Sequence, residues 1–304
     1  MRLATDGIST PAEGLPLAIL RELRPKQWLK NGLIFFGLVY ALQLANLPLV
    51  LNALLAFASF CLVSSAAYVV NDLRDIDLDR KHPTKRWRPL ASGALPVRLA
   101  APLATFLLVA GLALAIPLGG MFIAIIVTYL LLTTAYSLWW KHVVLVDIFC
   151  VSSGFVLRAV AGAVAVDVPI SPWLYVCTIL GSLLIALGKR RAELLEAQVS
   201  GELHRPALED YTVGFLDNLI VVAATASVMA YSLYTFSAEN VPRNQSMMIT
   251  IPVVLYGVFR YLFLVQVHRQ GGSPDELLLR DRSLAASVVL FLVLSAGILY
   301  LSPR

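Results

Sequence analysis

Charge is scarce in this 304-residue chain. Asp, Glu, Lys and Arg make up 14% of it, against about 25% in an ordinary soluble domain. Cysteine is scarce too: Cys61, Cys150 and Cys177 all lie within apolar runs, and none forms a C-x-x-C pair. A disulfide framework is excluded and a zinc site unsupported, so the three read as small buried hydrophobes. The four histidines, His82, His142, His204 and His268, are scattered, with no i,i+4 pair and no H-E-x-x-H. A metal site built on imidazole is therefore not expected. Nor is a signal peptide: Leu15 to Leu20 is a short apolar stretch without a small-residue cleavage site. With Arg21, Arg24, Lys26 and Lys30 close behind, it reads as an amphipathic segment at a membrane surface.

What the chain does have is apolar surface, 59% of its residues. A soluble fold of this size could not bury that much and still cover itself with polar groups. A secreted disulfide scaffold, a nucleic-acid-binding domain and a disordered chain are all excluded. The expectation is an all-α membrane protein. Nine runs approach the roughly 20 residues needed to cross a bilayer: about 31–47, 49–70, 99–118, 121–140, 143–166, 172–188, 213–236, 247–267 and 284–302. Residues 1–30 form a cytoplasmic N-terminal segment and 31–304 a single nine-helix domain. Twenty Lys and Arg residues fall in the N-terminal segment and the connections on its side of the membrane, against Arg243 and Arg304 on the other. That bias places the N-terminus in the cytoplasm. It also crowds basic groups at the cytoplasmic mouth, where anionic head groups or a polyanionic substrate could be held.

The second run ends in Tyr68-Val69-Val70-Asn71-Asp72-Leu73-Arg74-Asp75-Ile76-Asp77-Leu78-Asp79-Arg80. On a continuing helix, Asp72, Asp75 and Asp79 fall within about 60° of one another, with Asn71 about 40° from Asp75. Asp77 points away and is expected to be a bystander. Three carboxylates on one stripe repel unless a cation sits among them. Hard oxygen donors without His or Cys suit Mg²⁺, so Asn71, Asp72, Asp75 and Asp79 are the candidate ligands and the three aspartates the candidate catalytic groups. Lys85, Arg86 and Arg88 follow directly, an arrangement suited to a metal-bridged diphosphate. Arg158 lies mid-run, where a charge costs roughly 2.5–3.5 kcal/mol to insert, and so needs a carboxylate partner or an anionic ligand. Lys26, Lys30, Tyr68, Lys141, Lys189, Arg190 and Glu193 complete the candidate substrate-binding set. A water-soluble anionic substrate would meet the surface pair Lys189 and Arg190, and a head group entering sideways from the bilayer would meet the deeper Arg158.

The pattern N-D-x-x-D-x-x-x-D after the second run, followed by Arg88-Pro89-Leu90-Ala91-Ser92-Gly93, resembles the UbiA-type intramembrane prenyltransferase superfamily, whose helices surround a central cavity. Members that use a prenyl diphosphate usually carry a second acidic motif after the sixth span. Here that place is basic, Gly188-Lys189-Arg190-Arg191-Ala192-Glu193-Leu194-Leu195-Glu196. Together with Arg24-Pro25-Lys26-Gln27-Trp28-Leu29-Lys30-Asn31, His82-Pro83-Thr84-Lys85-Arg86, Val146-Asp147 and Arg158-Ala159, it resembles the decaprenyl-phosphate phosphoribosyltransferase branch. The resemblance implies Mg²⁺-dependent transfer of a phosphoribosyl group from 5-phosphoribosyl 1-diphosphate to a polyprenyl phosphate, with release of diphosphate. It also implies a bacterial-type inner membrane with the site facing the cytoplasm, and a place in making arabinosyl donors for the cell wall. A homo-oligomer is compatible with it. The alternatives are an aromatic prenyltransferase of the same superfamily and, in another class, a lipid transporter or flippase. The first needs the absent acidic motif, and the second predicts internal repeats that the halves do not show.

Overall fold

The computed structural model describes residues 14–170, 172–200, 208–272 and 274–301. The first 13 residues of the expected N-terminal segment, with His204, Ser273 and Arg304, lie outside these. The described residues form helices and no strand. In chain order these are α1 (Leu15–Glu22), a 3₁₀ helix (Pro25–Ile34) running into α2 (Phe35–Tyr40), α3 (Leu47–Arg74), α4 (Ile76–Lys81), α5 (Pro89–Ser92), α6 (Val97–Ala115) and α7 (Gly120–Leu138). There follow α8 (Val146–Ala165), α9 (Pro172–Ser200), α10 (Val213–Ser237), α11 (Ile251–Gln266), α12 (Pro274–Arg280) and α13 (Arg282–Leu301).

Seven helices among the described residues are long and apolar enough to cross a membrane: α3, α6, α7, α8, α10, α11 and α13, with α6 and α11 extended by short 3₁₀ turns. This is a multi-pass membrane protein. The expected run at 172–188 forms the first part of α9, whose 29 residues continue into the basic segment. The expected run at 31–47 does not form a single α-helix. Its first residues belong to the ten-residue 3₁₀ stretch, unusually long for that geometry, and its α-helical part is the six residues of α2.

Close backbone approach explains that segment. A Cβ on Gly162 would lie 2.0 Å from the Ile34 carbonyl oxygen, and one on Gly37 would lie 2.9 Å from the Ala163 nitrogen. The broken helix is thus pressed onto α8 at two glycines. Its residues three apart eclipse, which sends Trp28, Asn31 and Ile34 inward: Trp28 donates to Ser65 Oγ at 3.1 Å, Asn31 donates to Cys61 Sγ at 3.2 Å, and Ile34 is buried. The central helix is α8, with 61% of its most apolar stretch buried against 22–39% for the other six spans. Small residues likewise bring α3 and α6 together, with Ser59 Oγ donating to the Gly111 carbonyl at 2.8 Å. One core cluster gathers around α3, α7 and α8, another around α9, α10 and α11. A cavity of about 990 Å³ is lined by the 3₁₀ helix, α2, α8, α9 and α10 among others.

Candidate active site

The acidic end of α3 survives a change of helix axis. Asp75 leaves ideal helical geometry (φ −91°, ψ 10°), yet its N–H still reaches Asn71 O at 2.9 Å and its carbonyl accepts from Asp79 N–H at 2.8 Å. The stripe therefore keeps its facing, and Asp77 points outward as expected, its side chain 85% exposed and paired with Arg80 at 3.3 Å. Asp72 and Asp79 are buried. The cations beside them are protein groups. Arg88 Nη1 bridges Asp72 Oδ1 at 3.0 Å and Asp79 Oδ2 at 2.6 Å, and Arg24 closes on the other Asp72 oxygen. Asp72 and Asp79 thus both have arginine partners, and Arg88 is engaged with the two of them. Asn71 donates to Asp75 Oδ2 at 3.3 Å. Among the described residues, no group of three or more His, Cys, Asp or Glu side chains is placed to hold a metal. Asn71 and Asp75 still offer the donor set Mg²⁺ takes when waters and substrate phosphates fill its remaining positions.

A residue absent from the sequence expectation joins this node. Glu22, at the end of α1, is 1% exposed. Burial, and then the neighbouring Asp72 charge, pushes its carboxyl up to about 7. Two arginines face three buried carboxylates, so holding one proton on Glu22 balances the group. Its signal was its register: Glu22 stands four residues after Ala18 on the face of α1 turned to the protein, while Leu15, Leu17 and Leu20 are exposed.

The basic end of α9 has the opposite composition. Arg190 is fully buried, its Nε 2.8 Å from Asp147 Oδ2, and it also pairs with Glu193 and approaches Tyr136 OH at 3.3 Å. Tyr211 OH donates to Asp147 Oδ1 at 3.1 Å and accepts the N–H of Leu145 at 2.7 Å. Leu145 has a positive φ of 66° and starts α8. Arg191 is bidentate to Asp217, at 2.6 and 3.4 Å, and donates to the carbonyls of Val265 and Gln266 at the end of α11. The expected surface pair of Lys189 and Arg190 thus reduces to Lys189, which lies 4.0 Å from Glu193.

Two cavities meet at the 3₁₀ helix. The large one is lined by Leu29, Lys30, Leu33, Phe36 and Tyr40, then by α8, α9, α10 and Phe291. The smaller, about 320 Å³, is lined by Lys26, Gln27, Lys30, Lys189, Glu276 and Arg280 among others. Arg158 lines neither of them. It is buried and donates to Asn31 Oδ1 at 2.7 Å, Gly154 O at 2.6 Å and Tyr129 OH at 3.0 Å, with the Tyr129 ring 4.8 Å away. All three acceptors are neutral. The other arginine inside an apolar run, Arg260, has the ordinary solution, a carboxylate, at 2.7 Å in Asp281.

Of the remaining expected residues, Tyr68 lies under the Arg24 guanidinium at 5.0 Å, joining the acidic node. Lys85 and Arg86 sit in a 3₁₀ turn beyond it, with Arg86 over the Trp87 ring at 4.9 Å. Lys141 occupies the turn between α7 and α8 and lines neither cavity. Asp147, Tyr211, Gln27 and Arg280 were not among the expected site residues. Gln27 is the neighbour of Lys26 in sequence, whereas the other three are brought in by long-range packing.

Residues 32–190 match the model of the UbiA prenyltransferase family. The decaprenyl-phosphate phosphoribosyltransferase of Corynebacterium glutamicum is 37% identical, over 96% of this chain and 90% of that protein. The protein of the same name from Mycobacterium tuberculosis is 36% identical, over 93% of this chain and 94% of its own length. A UbiA homologue from Archaeoglobus fulgidus, solved with GPP and Mg²⁺, superposes with a TM-score of 0.70 at 19% identity, covering 93% of this chain and 99% of that one.

Proposed function

Because this chain belongs to the UbiA prenyltransferase family, we propose that it transfers the 5-phosphoribosyl group of 5-phosphoribosyl 1-diphosphate to a polyprenyl phosphate. The observation that carries this reading is the end of α9. Where a second acidic cluster would be needed to hold a second metal around a prenyl diphosphate, the chain has Lys189, Arg190 and Arg191, with Lys189 on the wall of the small chamber that shares Lys30, Phe155 and Ile185 with the apolar cavity of about 990 Å³. The relatives alike along nearly their whole length carry the same activity in their names.

In this reaction the C1–O bond to diphosphate breaks and a C1–O bond to the lipid phosphate forms. The nucleophile is already an anionic oxygen, so no side chain has to remove its proton. That agrees with a site whose named groups are carboxylates, an amide and cations. The chain's own contribution is alignment of two polyanions and stabilisation of charge on the leaving group. Asn71 and Asp75 would hold a divalent ion, which supplies neutralisation of the departing diphosphate. Arg24 and Arg88 keep Asp72 and Asp79 fixed, which holds the end of α3 in place. The lipid tail occupies the apolar cavity. In this reading residues 31–304 act as one domain, the broken helix and α9 complete nine crossings, and the N-terminus and the site face the cytoplasm of a bacterial inner membrane.

Membranes containing the protein, incubated with labelled ribosyl donor and polyprenyl phosphate, should transfer label to the organic phase. EDTA should abolish the transfer and added Mg²⁺ restore it. Prenylation of an aromatic acceptor in place of label transfer would overturn the reading.

A further inference from the structure

The 3₁₀ helix presents a second stripe. Next to Trp28, Asn31 and Ile34 run Gln27, Lys30 and Leu33, continuing to Phe36 in α2. Lys26, Gln27 and Lys30 line the small chamber, whereas Lys30, Leu33, Phe36 and Tyr40 line the large one. Lys30, Phe155 and Ile185 border both. The same boundary is marked from the opposite side by α12: Leu278 lines the apolar chamber, and Leu279 and Arg280 line the basic one. Arg280 is paired there with Glu276 at 3.0 Å. The small chamber therefore has four cationic side chains, Lys26, Lys30, Lys189 and Arg280, and one carboxylate on its wall.

We propose that the basic chamber seats the phosphate of the lipid acceptor, with Lys30 as its anchor at the mouth of the tail cavity and Arg158 as a positioning residue that sets Lys30 through Asn31. The assignment deepens the phosphoribosyltransferase reading and rests on it. A soluble sugar diphosphate has nothing to place in an apolar chamber. A ligand with an anionic head and a long apolar tail matches both chambers and crosses the boundary at Lys30. The donor's diphosphate is left to Asn71 and Asp75, on α3. Arg158 does not border either chamber, but its Nε grips the Asn31 side chain at 2.7 Å. That amide in turn donates to Cys61 on α3 at 3.2 Å. Asn31 is the residue after Lys30, so this clamp fixes the rotation of the 3₁₀ stripe.

The test uses the purified full-length protein in nanodiscs with three probes: farnesyl phosphate, farnesol and inorganic phosphate. Lys30→Met should weaken farnesyl phosphate binding about ten- to a hundredfold, the range for loss of a charged hydrogen-bond partner. Farnesol binding should stay unchanged, which shows that the fold and the tail chamber persist. In two-substrate kinetics, Lys30→Met and Arg158→Lys should each raise the acceptor KM and leave the donor KM unchanged. Arg158→Lys keeps the charge but loses the planar group whose Nε holds Asn31 while its two Nη atoms hold Gly154 and Tyr129, and a merely structural role would lower active enzyme without this split. Unchanged farnesyl phosphate binding in Lys30→Met, or a rise confined to the donor KM, would overturn the proposal. So would inorganic phosphate binding as tightly as farnesyl phosphate, since the chamber would then be a free-phosphate site. If the wild type makes no phosphoribosyl lipid, the reaction assignment fails, while the three-probe binding still decides what the chamber holds.

Discussion

The two charged helix ends at this site are near mirror images in composition and differ in what they leave available. At the end of α3, carboxylates outnumber cations, and Arg24 and Arg88 are brought in to pair with Asp72 and Asp79. At the end of α9, cations outnumber carboxylates, and Asp147 and Asp217 are brought in to pair with Arg190 and Arg191. Buried charges in both places are held by partners from distant segments, as the desolvation cost of an unpaired ion requires. Asn71 and Asp75 stand at the edge of one network and Lys189 at the edge of the other. In the proposed reaction, these edge groups are the ones that meet substrate.

Four tests would break or sharpen that contrast. The largest effect is expected for Asp75→Ala, which should abolish turnover in an assay of lipid-borne ribosyl label while leaving the thermal transition of the detergent-solubilised protein in place. Asp77→Ala, two residues on, should retain wild-type rates; equal losses at both positions would show that the stripe is misassigned. Next comes Arg190→Met. Removing one partner of a buried pair costs about 3–5 kcal/mol, so its melting temperature should fall sharply, whereas Lys189→Met should melt like the wild type and lose only acceptor affinity.

The third concerns pH. The Glu22 carboxyl is raised to about 7 from an ordinary value near 4.5, so the folded state holds a proton the unfolded chain releases. Stability contributed by that proton is full below about pH 4.5 and is lost as pH rises through 7. Glu22→Gln should therefore melt higher than the wild type at pH 8, by up to roughly 3 kcal/mol in stability, with the gap closing towards pH 5. A gap that does not change with pH would remove the buried proton from the account. The smallest effect is expected for Arg280→Ala, on the short α12 and paired only with Glu276 among its named contacts. A rise of a few-fold in acceptor KM is expected, near the weak end for an exposed ionic contact.

Much of this arrangement could be read from the residues. Among the described residues, seven of the nine apolar runs are found as helices long and apolar enough to cross the membrane, since run length and hydropathy are local properties. The outward aim of Asp77 followed from helical spacing alone. Arg158 stood out because a charge in an apolar run is costly anywhere. Its partners were not legible: Asn31 lies 127 residues away in sequence. The 3₁₀ stretch was hidden for a different reason. Nothing in the residue types of Pro25–Ile34 marks a period of 3.0 over one of 3.6, and what selects the tighter helix is the fit of Ile34 against Gly162 on α8. That geometry creates the stripe from Lys30 to Phe36 and brings Lys30 onto one chamber wall with Lys189, a juxtaposition that the sequence does not show. For Arg88 and Arg190 the sequence shows the charge and not the carboxylates that each one faces.

The division of labour between the two ends can be measured directly by determining both Michaelis constants for Asp75→Asn and Lys189→Met in one two-substrate experiment with purified enzyme, donor and polyprenyl phosphate. Asp75→Asn should depress kcat and donor use with the acceptor KM unchanged, and Lys189→Met should raise the acceptor KM with the donor KM unchanged. Crossed effects, with Asp75→Asn acting on the acceptor and Lys189→Met on the donor, would contradict the account.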